Sequence, residues 1–328
     1  MLTSLGRRIE ASVARFDPWT NVYGCARSML ALATAATLLA NPMSNLFRSG
    51  SGTGLPPFCS GIRAAGVFCV PSSGHLELKR WLCAAALLVV ASGWRPRYTA
   101  LVHFWISFSL QANALVLDGG DQVASILSML LLPVALTDRR AWHWSRPLDA
   151  PLTQMEAHKR LLARFFLGLV RLQVAGIYFH AAVGKLAVRE WKDGTAIYYW
   201  LRHETYGAPP SLVAALRPAL ESGWSVSLIT WSVLVLEVFL AMALLTSKRH
   251  WPWLLAGGLA LHAGIIVAHG LVSFGVVMMA ALILFLRPVE LELKLSNARD
   301  RGAHFVRSVR STLPVRASIS KVTPTGRW

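Results

Sequence analysis

The sequence predicts an all-α fold, a polytopic bundle of about eight transmembrane helices, and three observations carry that reading. Of 328 residues, 54% are hydrophobic and only 15% charged, where soluble domains average about 45–50% and about 25%. The surplus apolar surface needs lipid. Apolar runs recur along most of the chain, with no soluble stretch of domain size between them. Basic residues gather in the short connections between those runs, which is how cytoplasmic loops are marked.

The runs cover residues 20–40, 76–93, 99–117, 121–137, 160–183, 224–246, 251–268 and 271–287. Run 20–40 has a basic front and small residues around Ala40, so a cleaved signal peptide competes with a retained span. Its apolar stretch is longer than the usual signal core, which favours retention. Arg7, Arg8 and Arg15 precede this run, and Arg95 and Arg97 follow the second. Arg139, Arg140, Arg146, Lys159 and Arg160 separate the fourth from the fifth, and Lys248, Arg249 and His250 separate the sixth from the seventh. All lie inside if the N-terminus does, and both termini are then cytoplasmic. Lys79 and Arg80, at the outer start of the second run, fit that scheme less well.

The opposite connections carry other chemistry. The Pro/Gly/Ser-rich stretch 41–74 holds Cys59 and Cys69, with Gly61 and Gly66 between them. In an oxidising compartment these two close a short disulfide loop; otherwise they remain free thiols. Between Gly184 and Gly223 an amphipathic helix is expected, carrying Trp191, Tyr198, Tyr199 and Trp200 at the interface. Residues 1–288 therefore form a membrane domain, and 289–328 a basic cytoplasmic tail without apolar periodicity, expected to be disordered. The formal charge of +17 points to anionic membrane lipid and not to nucleic acid, because of where the charges lie.

A charged group in hydrocarbon costs about 2.5–3.5 kcal/mol even on lenient scales, so each needs a partner or a purpose. Arg164, Arg171, Tyr178 and Lys185 recur every seven residues and so share one helix face. Arg171 is expected near the middle of the fifth span, level with Glu237 on the sixth, and a buried Arg171–Glu237 pair acting as a structural clamp is the expectation. Toward the outer side lie Gln111, Asn113, Asp118, Asp121, His180, Lys185, His262 and His269. The alternatives for that set are interhelical hydrogen bonding and an outward-facing site. A desolvated lysine can serve as a base or nucleophile, and histidines can relay protons. The three histidines have no spacing that specifies a metal, and no HExxH, CxxC or phosphate-loop motif is present. No metal is assigned.

The segment Tyr178-Phe179-His180-Ala181-Ala182-Val183-Gly184-Lys185-Leu186, with Trp191 and Gly194 beyond it and Leu261-His262 later, resembles vitamin K-dependent gamma-carboxylases and their bacterial relatives, the HTTM domains. A nearer resemblance is to the SdpB-like proteins of sporulation-delaying antimicrobial-peptide systems. It covers most of residues 18–288, including Ala91-Ser92-Gly93-Trp94-Arg95-Pro96-Arg97-Tyr98, Leu117-Asp118-Gly119-Gly120-Asp121-Gln122 and His269-Gly270-Leu271-Val272-Ser273-Phe274. The resemblance implies a bacterial inner-membrane factor that matures or exports a secreted peptide toxin, beside a small SdpA-like partner protein. It implies Lys185 as the base, His180 and His262 as acid/base or positioning groups, and Asp118 and Asp121 as orienting groups. The large lumenal domain of the carboxylases has no counterpart here, so vitamin K is not carried over and the cofactor stays unknown. The runner-up reading is a non-enzymatic transporter or immunity protein, with the Arg171 to Lys185 stripe lining its path.

Overall fold

The computed structural model describes residue 13 and residues 16–47, 57–115, 118–145 and 153–293. Arg7, Arg8, Arg15, Arg146 and the tail beyond Leu293 lie outside the described residues. The chain divides into two units, Met1–Glu292 and Leu293–Trp328. Eight long α-helices build the first unit: α1 Asn21–Ala40, α2 Leu76–Ser92, α3 Pro96–Asn113, α4 Gly119–Thr137, α5 Gln154–Leu186, α6 Gly223–Ala241, α7 Trp251–His269 and α8 Val272–Leu286. No β-strand occurs among the described residues. Helices α1, α4, α5, α6 and α7 are long and apolar enough to cross a membrane, and α8 is apolar but shorter.

Local chemistry sets the helix ends. Side chains of Asp118, Thr153 and Ser222 accept the backbone N–H three residues on, capping α4, α5 and α6. Gly93 and Gly270 end α2 and α7 at φ of 89° and 68°, a left-handed turn that favours glycine. Capping at Thr153 starts α5 six residues before the apolar run that marks it in the sequence.

Helix α1 is the hub, packed against α2, α4 and α8, while α5 packs on α4, α6 and α8, and α7 on α6 and α8. Tyr23, Leu30, Leu127, Val170, Val174 and Phe285 form the shared core. On the rim, Trp224 (89% exposed) and Trp253 (79%) stand out from α6 and α7, apolar surface of a size that a bilayer covers and water does not.

At one end of the bundle Cys59 and Cys69 form a disulfide. Asn113 Nδ2 donates to the Arg63 carbonyl of that loop, and Leu115 N–H to the Leu46 carbonyl. Arg80 and Lys79, the two cations that fit the charge scheme poorly, are absorbed here. Arg80 Nη1 donates to the Leu38 carbonyl (3.0 Å) and so caps the C-terminus of α1, while its Nε bonds Glu77 (2.6 Å). Lys79 Nζ donates to the carbonyls of Phe68 and Ser72.

At the other end the 138–145 connection locks onto α2. Arg95 N–H bonds the Ala141 carbonyl, His143 N–H the Gly93 carbonyl, and Trp144 Nε1 the Ser92 carbonyl. Asp138 and Arg140 pair at 2.9 Å with both side chains almost fully buried, so Arg140 belongs to this lock and not to the basic surface. His143 is fully buried, 3.2 Å from Ser28 Oγ through Nε2. Burial, then the nearby Arg27 and Arg140, pushes its imidazole down from 6.5 to about 3. The unfolded chain takes up this proton as pH falls below about 6.5 and the folded chain resists until about 3, so this contribution is intact above 6.5 and shrinks through that window. Thermal melts in detergent at pH 7 and pH 4.5 are expected to show a larger acid loss for the wild type than for His143→Gln.

Between α5 and α6 the single amphipathic helix expected from the sequence is not formed. Short helices Arg189–Lys192, Ala196–Leu201, Pro210–Ala215 and Arg217–Leu220 take its place. Gly194 at φ 80°, held against Ser227 and Trp231, separates Trp191 from Tyr198, Tyr199 and Trp200, and Pro209 and Pro210 break the chain again.

Candidate functional site

Near the disulfide end, five helices enclose a cavity of about 440 Å³. Gln122 comes from α4, Tyr178, His180 and Lys185 from α5, Glu237 from α6, His262 from α7 and Phe274 from α8. The seven-residue spacing places Tyr178 and Lys185 on the same face of α5. Lys185 Nζ donates to Glu237 Oε1 at 2.8 Å and lies 5.2 Å from the ring centre of Trp191. Tyr178 hydroxyl and His262 Nε2 are hydrogen-bonded at 2.8 Å, both residues buried. Phe274 sets its ring edge-to-face against the His262 imidazole. Glu237 Oε2 and His262 Nδ1 are buried without a hydrogen-bond partner.

Glu237 therefore pairs with Lys185, and the expected Arg171–Glu237 pair is not present. The reason is register. Arg171 and Lys185 are 14 residues apart, about 21 Å along a helix, and Glu237 is level with Lys185, so Arg171 is out of its reach and level instead with the start of α7. There its guanidinium lies 5.3 Å from the Trp251 ring centre, at the start of α7, within electrostatic range of Glu290.

The outer residues singled out in the sequence divide into two groups. Lys185, His180 and His262 line the cavity together, His180 from an exposed position. Asp118 and Asp121 do not line it. Asp118 caps α4 and accepts from Ser273 Oγ at 2.9 Å, tying α4 to the start of α8. Asp121 is buried against α1, where Thr37 Oγ1 donates to it at 3.0 Å. They brace the helices that carry the cavity.

A second chamber of about 420 Å³ shares Lys185, Glu237, Ile265 and Phe274 with the first. Its other walls include Trp191, Trp200 and Tyr206 from the α5–α6 connection, with Leu261 and His269 from α7. His269 Nδ1 donates to the Tyr206 carbonyl at 2.7 Å, which pins the connection over the chamber. His262 and His269, seven residues apart, thus serve separate chambers. Among the described residues no three His, Cys, Asp or Glu side chains converge in a metal-binding group.

An amine, a carboxylate, an imidazole and a phenol meet at one cavity between apolar helices, a set able to take up, hold and pass protons. Reading the sequence missed Glu237 as the partner of Lys185 and Tyr178 as the partner of His262. The signal available for the second was the shared face of Tyr178 and Lys185.

The chain is 38% identical over 297 residues to the uncharacterized protein YitO of Bacillus subtilis (strain 168), covering 89% of this chain and 94% of that protein. It is 36% identical over 284 residues to the sporulation-delaying protein SdpB of the same organism, covering 86% of each. No family model matches the chain, and no solved structure matches it.

Proposed function

Because the chain belongs to the SdpB family, we propose that it is a multi-pass bacterial inner-membrane protein that matures or exports a secreted peptide toxin. The relative's name, a sporulation-delaying protein, supports the pathway. The observation that carries the chemistry is the convergence of Lys185–Glu237 and Tyr178–His262 on one cavity inside an apolar bundle. There Lys185, Glu237 and His262 move protons on or off the precursor peptide, with His180 at the mouth and Asp118 and Asp121 fixing the helices around it. The resemblance of the Tyr178–Leu186 segment to the carboxylase-like HTTM domains supports Lys185 as the base, with no cofactor named.

All eight helices cross the membrane in this reading, and both termini lie in the cytoplasm. The disulfide lies at the cavity end and supports an oxidising exterior there. Arg95, Arg97, Lys248 and Arg249 lie in connections at the other end and support a cytoplasmic, anionic-lipid-facing side. A small SdpA-like protein is its partner in this reading.

The mass of the secreted peptide, compared between cells with and without this protein, tests the reading. A covalent mass difference is the expected result. An unchanged mature peptide that stays in the cells would instead favour the transport or immunity reading.

A further inference from the structure

We propose that the second chamber receives a primary alkylammonium group, a lysyl side chain of the peptide substrate, which takes the place of Lys185 against Glu237 and Trp191. The proposal rests on the reading of the protein as acting on a peptide, and it names what that peptide must present.

The chamber has the chemistry of an ammonium site. Trp191, Trp200 and Tyr206 supply aromatic rings, whose faces attract cations. Glu237 is its one carboxylate among the described residues; one oxygen holds Lys185 and the other, Oε2, is buried without a partner. A buried acceptor left unpaired favours the arrival of a second donor. Leu261 and Ile265 give the methylenes of an alkyl stem an apolar wall.

The dimensions suit a lysine because a lysine already occupies the place. Lys185 Nζ sits 2.8 Å from the carboxylate and 5.2 Å from the indole centre. Its side chain is partly exposed, 23%, and also lines the first cavity, so rotation can withdraw it there. An incoming ammonium then replaces the internal one at Glu237, and the Lys185 amine moves beside Gln122 and His262. Recognition of the substrate thereby places the reactive amine.

A lipid headgroup with an ethanolamine ammonium fits less well. Such a group carries a phosphate close behind its cation, and Lys185 is the one Lys or Arg among the described residues lining the chamber. Once Lys185 is displaced, that phosphate is left unpaired.

The test is saturation-transfer NMR on the purified full-length protein in detergent micelles, with n-butylammonium as probe and n-butanol as its neutral counterpart. The ammonium is expected to bind at least about tenfold more tightly than the alcohol, because the alcohol gains neither the carboxylate nor the cation–π contact. Lys185→Met, which removes the internal competitor, is expected to raise ammonium affinity at least about threefold, and Glu237→Gln to lower it about tenfold. Trp191→Leu, expected to weaken binding several-fold, keeps the test decisive should Lys185→Met fail to fold. Equal binding of the alcohol, or unchanged affinity in these variants, overturns the proposal. Loss of ammonium binding on adding phosphatidylethanolamine assigns the chamber to lipid and overturns it as well. No toxin enters this assay, so its failure is distinguishable from failure of the maturation reading, which the peptide mass decides.

Discussion

Lys185→Met is expected to lower the yield of active secreted toxin by about 100-fold or more, the usual scale for losing a positioned acid/base group, with normal abundance of the variant in the membrane. Methionine keeps the length and most of the volume of the side chain and removes only the amine. Lys185 lines both chambers and pairs with the buried carboxylate of Glu237. Toxin activity in the culture supernatant and protein level in washed membranes are the two measurements. Full toxin yield at a normal protein level would remove Lys185 from the mechanism. A double-mutant cycle in detergent unfolding adds a structural arm. Lys185 and Glu237 are expected to couple by about 2 kcal/mol, as partners in one partly buried pair do, and Arg171 and Glu237 to be additive.

Gly120→Ala carries the second large effect. A Cβ at Gly120 would lie 2.6 Å from Phe274 Cα and 3.1 Å from Phe274 N, backbone that cannot swing aside, whereas one at Gly119 meets only the Phe274 ring edge at 3.6 Å. The close approach of α4 to α8 requires glycine at Gly120. The substitution is expected to cost about 3 kcal/mol by overpacking and to shift Phe274 away from His262. Gly119→Ala is expected to stay within about 0.5 kcal/mol of the wild type, helped by the better helix propensity of alanine. Thermal unfolding of both variants in one detergent measures the difference. Equal stability would mean that α4 and α8 are not in contact at this point.

Helix positions were legible in the sequence because membrane helices are selected on one coarse property, apolarity over a fixed length; the runs at 20–40, 76–93 and 251–268 match α1, α2 and α7 to within about one residue. The α5 face joining Tyr178 to Lys185 was legible for a comparable reason, since seven-residue spacing depends on nothing outside the helix. Glu237 was assigned to the wrong cation because pairing between helices depends on relative depth. Depth in turn is set by how α5 and α6 pack against each other, which the hydrophobicity of either helix alone does not read. Asp118 and Asp121 looked like site residues by depth and charge, yet their hydroxyl partners, Ser273 and Thr37, lie 155 and 84 positions away along the chain. The aromatic chamber was illegible as a whole, since it joins a loop broken at Gly194 to the middle of α6 and α7. What the sequence showed there was aromatic residues with no stated partner.

Helix α5 has 33 residues, about 50 Å end to end, against about 30 Å of hydrocarbon. In a bilayer-crossing orientation, about 20 Å of it would stand clear of the acyl chains or be taken up by tilt. Its first turns hold Glu156 ion-paired with Lys159 and Arg160, all three side chains largely buried, and its last turn bears the amine of the site. Glu156 and Lys185 stand on one unbroken helix, 29 residues apart, so the ion-paired turn at one end and the amine at the other keep a fixed separation of about 44 Å.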